Sequence, residues 1–305
     1  MLRQLLTLCI HLVSVAVGVS ILSFTFMHLS GDPVMLMLPP DATARQIEEF
    51  REKMGFNDPI PIQYLRFLSG ALRGDFGISL RYQQPAMGLV LDRLPATLEL
   101  AVTGMGVALL VAVPFGILSA IRRGSALDYL VMGGALLGLS MPNFWVGIVG
   151  ILIFSVKLHL LPTAGRGTWF QLVLPGLALG SYLMALIARL TRSGMLEVIS
   201  QDYVRTARAK GLAEPLVIVR HALMNALIPL ITVVGLQMGE LVGGTVVIET
   251  VFAWPGVGRL ILQAVFQRDY PLVQGAVFIL AMTFVGANLL VDLANRFLDP
   301  RIRRA

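Results

Sequence analysis

The residues of this chain that could do chemistry are few and far apart. Four histidines, His11, His28, His159 and His221, fall in four separate segments, and no His-Glu-x-x-His pair is present to hold zinc. A loop that cradles phosphate needs Gly-Lys-Ser/Thr, yet none of the three lysines (Lys53, Lys157, Lys210) follows a glycine. There is no Gly-x-Ser-x-Gly elbow. The single cysteine, Cys9, excludes an internal disulfide, a Cys-x-x-Cys redox pair and a multi-cysteine metal site. No catalytic residue and no metal ligand is assigned, and the chain is expected to hold no cofactor of its own.

One ionisable residue interrupts an otherwise apolar run: Glu240, with Gln237 about one helical turn before it. A charge at membrane depth is a functional candidate because burying it unpaired is costly. Two roles stay open for Glu240. It lines a solute path, where its charge suits a cationic or amine-bearing cargo, or it pairs with another helix. Asn143 joins Gln237 and Glu240 as a path candidate, its other reading being an interhelical hydrogen-bonding group. Asn288 and Asp292 are read the same way.

The elements that position these groups follow from composition. Of 305 residues, 56% are hydrophobic and 14% charged. A soluble domain carries about 25% charged residues, so most of this surface is not wet. Stretches free of Asp, Glu, Lys and Arg run over Gln4–Gly31, Leu100–Ile121, Tyr129–Val156, Gly167–Ala188, His221–Gly239 (resuming after Glu240 to Ile248) and Tyr270–Val291. Each is long enough for a spanning helix of about 20 residues. The expected class is an all-α integral membrane protein with six transmembrane helices. The first run exceeds a signal-peptide core and lacks a small-residue cleavage site, so it reads as a retained helix.

Six spans put both termini on one side. If that side is the cytoplasm, its short segments hold thirteen Lys and Arg residues, against four in the two short outer loops. This is the positive-inside bias, so both termini are expected to be cytoplasmic. The net charge of +6 is explained by head groups of membrane lipids, and no nucleic acid is expected as a partner. Residues 1–94 read as one helix plus a long outer segment, with a Pro39-Pro40 break and a helix-like stretch from Thr43 to Met54. Residues 95–300 read as a core of five helices with an inner segment at 192–225. In the fifth run Gly235, Gly239 and Gly243 recur every four residues, a spacing that lets helices pack closely, and Gly134/Gly138 and Gly176/Gly180 repeat it. Trp254-Pro255-Gly256 is expected at an outer turn near the interface.

The inner segment contains Arg205-Thr206-Ala207-Arg208-Ala209-Lys210-Gly211-Leu212, then Arg220-His221-Ala222-Leu223. In this order it resembles the cytoplasmic signature of binding-protein-dependent ABC importer permeases, with Ala207, Gly211 and Leu223 in register. Both strings are similar to those of the dipeptide, oligopeptide and nickel branch. So are Gly31-Asp32-Pro33, Gly74-Asp75-Phe76-Gly77, Leu94-Pro95-Ala96-Thr97-Leu98-Glu99 and Ser140-Met141-Pro142. Phe252 to Arg259, Arg268-Asp269-Tyr270-Pro271 and Asp299-Pro300-Arg301 continue the resemblance along nearly the whole chain.

The resemblance implies the type I ABC importer permease fold in a bacterial inner membrane. It implies a sister permease forming a heterodimer with this chain, two ATPase subunits that bind ATP and Mg, and a periplasmic or lipid-anchored solute-binding protein. The segment Arg205 to Leu212 would then be a short coupling helix docked on an ATPase. Di- or oligopeptides are the first expected cargo, with nickel or a nickel chelate as the alternative. Of the other classes, a stand-alone ion-coupled transporter requires inverted-repeat halves, and a membrane enzyme requires the reactive cluster missing above.

Overall fold

The structure is a computed structural model that describes residues 2–29, 34, 38 and 42–298. The Gly31-Asp32-Pro33, Pro39-Pro40 and Asp299-Pro300-Arg301 motifs and the Asp292 side chain lie outside the described residues. Helices account for most of the described residues. In chain order they are α1 (Leu2–Leu29), α2 (Ala44–Met54), α3 (Ile60–Leu72), α4 (Ala86–Ile121), α5 (Ala126–Ser140) and α6 (Asn143–Gly150). They continue with α7 (Phe170–Ile199), α8 (Asp202–Ala209), α9 (Glu214–Leu216), α10 (Met224–Val251), α11 (Val257–Phe266) and α12 (Tyr270–Leu298). Helix α6 runs on through Ile151–Lys157, and α9 runs into α10 through Val217–Leu223, both by wider turns bonded five residues apart.

Local chemistry explains several boundaries. Thr43 and Gln46 cap each other's backbone N–H at the start of α2, and Gly55 ends it at φ +70°. Ser125 Oγ accepts the Asp128 N–H and starts α5. The expected Tyr129–Val156 span is not straight: α5 and α6 meet at 108°. Pro142 has no N–H to donate and pushes Met141 into an extended conformation (φ −92°, ψ 129°), so the helix must stop and restart.

Among the described residues, four stretches are long and apolar enough to cross a membrane: α4, α7, Pro229–Val251 and Tyr270–Val291. The bent α5–α6 pair makes a fifth if it is one span. Helix α1 has 28 residues, which at 1.5 Å rise gives about 42 Å, enough for a hydrocarbon core of about 30 Å. Leu110, Tyr129 and Leu130 are each more than 70% exposed. Water would penalise that apolar surface, whereas lipid or a partner helix would not.

The chain divides into two compact units. The first is Met1–Thr97 with Pro255–Gly286. Its centre is Phe76, whose ring lies 6.1 Å from Phe67 and 5.4 Å from Phe278. The Gly74–Gly77 motif places it there: Gly74 takes φ +74° after α3, and the Asp75 carboxylate accepts the Gly77 N–H at 2.9 Å. A tight hairpin follows, with a single bridge between Ile78 and Pro85. The fully buried Asp269 accepts hydrogen bonds from Ser79 Oγ, the Arg81 N–H and the Leu272 N–H, so it both caps α12 and holds the hairpin. Phe24 of α1 packs edge-on to Tyr64 of α3, whose hydroxyl meets Ser20 Oγ at 2.8 Å.

The second unit is Leu98–Trp254 with Ala287–Ala305. Glycines set its closest helix contacts. A side chain at Gly180 would begin 2.6 Å from the Gly104 carbonyl oxygen, and one at Gly116 would begin 2.8 Å from that of Ala188. Helices α4 and α7 therefore touch backbone to backbone. Trp254, in the turn between α10 and α11, is fully buried. Its ring lies under Arg166, 5.9 Å from the guanidinium carbon, and Arg166 in turn pairs with Glu99 at 2.7 Å.

Candidate functional site

Helix α8 carries most of the segment singled out in the sequence. Gln201 enters it in an extended conformation, and Asp202 puts a negative charge in its first turn, where the helix dipole favours it. Val204 and Ala207 lie three residues apart, hence on one face, and both are buried against Val217 with Val198 and Leu212 around them. The remaining positions, Arg205, Thr206, Arg208, Ala209 and Lys210, are exposed. Tyr203 beside them is 44% exposed. The helix thus lies on the molecule by two small apolar side chains and presents a cationic face outward.

Gly211 ends α8 at φ +76°, its N–H bonded to the Arg208 carbonyl at 2.9 Å. Nothing lies within 4 Å of where a side chain would start, so glycine is required there by the backbone and not by space. Across this turn Arg208 makes a two-pronged contact with Glu214, at 3.1 and 2.8 Å. Those hydrogen bonds hold the Glu214 carboxyl below its ordinary range and raise the Arg208 guanidinium above its own. Arg205 meets Asp202 only at 3.5 Å, both well exposed, so the charge of Arg205 stays largely available. This arrangement suits docking of an acidic or polar partner surface.

Beneath α8 lies a second apolar cluster of Ala120, Met195, Ile218, Ala222 and Ala226, flanked by Ile117, Leu196 and Ile199. Val198 touches both clusters. One turn before Met195, Arg192 grips Asp128 with two hydrogen bonds, Nε–Oδ1 at 2.7 Å and Nη2–Oδ2 at 2.9 Å. Asp128 also accepts from Ser119 Oγ and from the Gly124 N–H, and only 5% of its side chain is exposed. The sequence reading missed this pair. Taking charge as the end of a span began one run at Tyr129 and ended another at Ala188, leaving Asp128 and Arg192 in loops. The available signal was Ser125 three residues before Asp128, a helix-start pattern.

The path candidates fall in different settings. Glu240 is exposed on α10 and Gln237 is half-buried. Asn143 accepts a hydrogen bond from Ser181 Oγ at 3.2 Å, joining α6 to α7. Of the glycine series, Gly235 abuts Val291 and Gly239 is buried, while Gly243 has nothing within 4 Å. Among the described residues there is no group of three His, Cys, Asp or Glu able to hold a metal ion.

Known proteins resemble this chain over nearly its whole length. The family model described as "Binding-protein-dependent transport system inner membrane component" matches residues 112–304, and the N-terminal model of the same systems matches residues 1–101. The chain is 41% identical to the dipeptide transport system permease protein DppB of Alkalihalophilus pseudofirmus, covering 96% of each chain. It is 42% identical to the oligopeptide transport system permease protein AppB of Bacillus subtilis, over 95% of this chain and 96% of that one. The glutathione transport system permease protein GsiC of Escherichia coli K12 is also 42% identical, over 93% and 94%. A solved inward-facing structure of the MetNI methionine ABC transporter aligns with a TM-score of 0.59 at 19% identity, covering 70% of this chain and 97% of that chain. That likeness is one of fold, the type I ABC importer permease architecture.

Proposed function

The chain belongs to the family of binding-protein-dependent transport system inner membrane components, and from that premise we propose that it supplies one half of the membrane path for di- or oligopeptides. It is a transport subunit of the inner membrane, working with ATPase and other transporter subunits. A solute-binding protein delivers the peptide from outside, and a sister permease supplies the other half of the path. Two ATPase subunits bind ATP and Mg and hydrolyse the nucleotide. The positive-inside bias puts α8 and both termini in the cytoplasm, with α1 as the sixth span.

The observation that carries this reading is the outward cationic face of α8, fixed by Val204 and Ala207 beneath and stopped by Gly211. In the proposed assembly this face docks on an ATPase subunit. ATP-driven closure of the ATPases can rock the permease only if they bind its two states with different affinity. Peptide comes first among cargoes because the relatives just compared carry dipeptide, oligopeptide and glutathione in their names, and glutathione is itself a small peptide. Glu240, with Gln237 one turn away, is read as lining the path and meeting the amino group of the cargo.

The test is uptake in a strain lacking this chain, with labelled dipeptides, oligopeptides and nickel supplied in parallel. Peptide uptake should be lost and then restored by the wild-type gene. A Gly211→Pro variant that still reaches the membrane should not restore it, because proline cannot adopt the positive φ. Loss of nickel uptake alone would replace the peptide reading with the metal one.

A further inference from the structure

The cluster around Asp128 has a place in the fold that the docking of α8 does not explain. A single carboxylate, 5% exposed, takes four hydrogen bonds from three directions. Ser119 belongs to the end of α4, Gly124 to the α4–α5 turn, and Arg192 to α7. From Arg192, α7 leads on toward α8. Met195, one turn on, sits in the apolar cluster with Ile218 and Ala222, and Val198 joins that cluster to the one that seats Val204 and Ala207.

We propose that the Asp128–Arg192 pair is a strut: it locks α4, α5 and α7 to the base of α8, so that movement of α8 reaches the spans instead of being absorbed as local slippage. The two residues are positioning residues, touching neither cargo nor nucleotide. The inference rests on the reading of α8 as the ATPase contact. Packed apolar side chains resist separation but let helices slide, because dispersion has little direction. A two-pronged guanidinium–carboxylate contact fixes both distance and orientation. Burial sharpens this, since either partner left alone would be an uncompensated charge.

The experiment uses the complete transporter in vesicles, with its binding protein and a labelled dipeptide, and reads cargo imported per ATP hydrolysed. The informative variant is the double change Asp128→Asn with Arg192→Gln. It removes both charges together, so the cost to folding is small compared with stranding one of them. The double variant should assemble and hydrolyse ATP, yet import on the order of tenfold less cargo per ATP, the usual scale of coupling between sites. A wild-type ratio would overturn the strut. If the double variant fails to accumulate, Arg192→Lys decides, because it keeps the charge and loses the second prong: a lowered ratio supports the strut and an unchanged ratio overturns it. Failure of the underlying reading looks different. In that case Gly211→Pro leaves binding-protein-stimulated ATP hydrolysis untouched, which overturns the ATPase contact and the strut with it.

Discussion

Thr97 Oγ1 accepts the backbone N–H of Val257 at 2.8 Å, so a side chain 160 residues away caps the start of α11. The residue that should do this locally is Gly256, which has no side chain to offer. Both partners are fully buried, and the bond ties the Leu94–Glu99 motif to the Phe252–Arg259 motif. Replacing Thr97 with Val strands that N–H and should destabilise the protein by about 1–3 kcal/mol. Thr97→Ser keeps the acceptor and should cost much less. Denaturation midpoints in detergent would show this ordering, and equal midpoints for Val and Ser would remove the cap from the account.

The glycine series on α10 predicts a contrast. A side chain at Gly235 would begin 1.9 Å from Val291 Cγ1, so Gly235→Ala should overpack that contact by about 1–3 kcal/mol. Among the described residues nothing lies within 4 Å of a side chain started at Gly243, so Gly243→Ala should not overpack this chain. If Gly243→Ala nevertheless weakens co-purification with the sister permease, the open position is where a second chain packs.

The Arg208–Glu214 contact gives a pH dependence with a definite sign. The folded carboxyl titrates below its ordinary 4.5, held there by the Arg208 hydrogen bonds. Its contribution is therefore complete above pH 4.5 and is lost as pH falls from there through the folded value. The protection factors of the amides around Gly211, with the intrinsic pH dependence of exchange divided out, should fall over that range in wild type. Glu214→Gln should show the lower protection already at neutral pH, with no further fall as pH drops. High salt should shrink the difference, since both groups reach solvent.

Glu240 makes the cargo reading vulnerable. If its carboxylate meets the amino group of a peptide, Glu240→Gln should lower apparent affinity for that cargo roughly tenfold, the scale of a hydrogen bond to a charged group. Membrane levels and co-purification should be unchanged. N-acetylated peptides, lacking the charge, should no longer distinguish the variant from wild type. Equal uptake of the free peptide by both proteins would retire Glu240 as a path residue.

Much of the architecture was legible in the amino-acid order because it depends on short-range physics. Apolar runs read out α4, α7 and the later spans, since a spanning segment must carry its own hydrophobicity residue by residue. The stretch from Thr43 to Met54 was legible as α2, and the caps that bound α2 and α8, Thr43 with Gln46 and Gly211, lie within one turn of the ends they set. The Val204/Ala207 spacing likewise sits within eight residues. The 108° bend at Pro142 was written in the proline, although the charge-free run of residues around it read as one straight span.

What only the tertiary structure decided was which charges and polar groups find partners. Asp128 meets Arg192 across 64 residues, Thr97 meets Val257 across 160, and Ser79 meets Asp269 across 190. No local preference encodes such pairs, since each side chain alone is ordinary. A charge marks the edge of a hydrophobic span when it is unpaired, because hydrocarbon rejects it; once partnered it can sit within a helix. Arg192 does so, and α7 runs on to Ile199, well past the point where charge alone would have ended it. The Arg166 guanidinium lies over the buried Trp254 ring, a contact set by the fold and not by the neighbours of either residue in the chain.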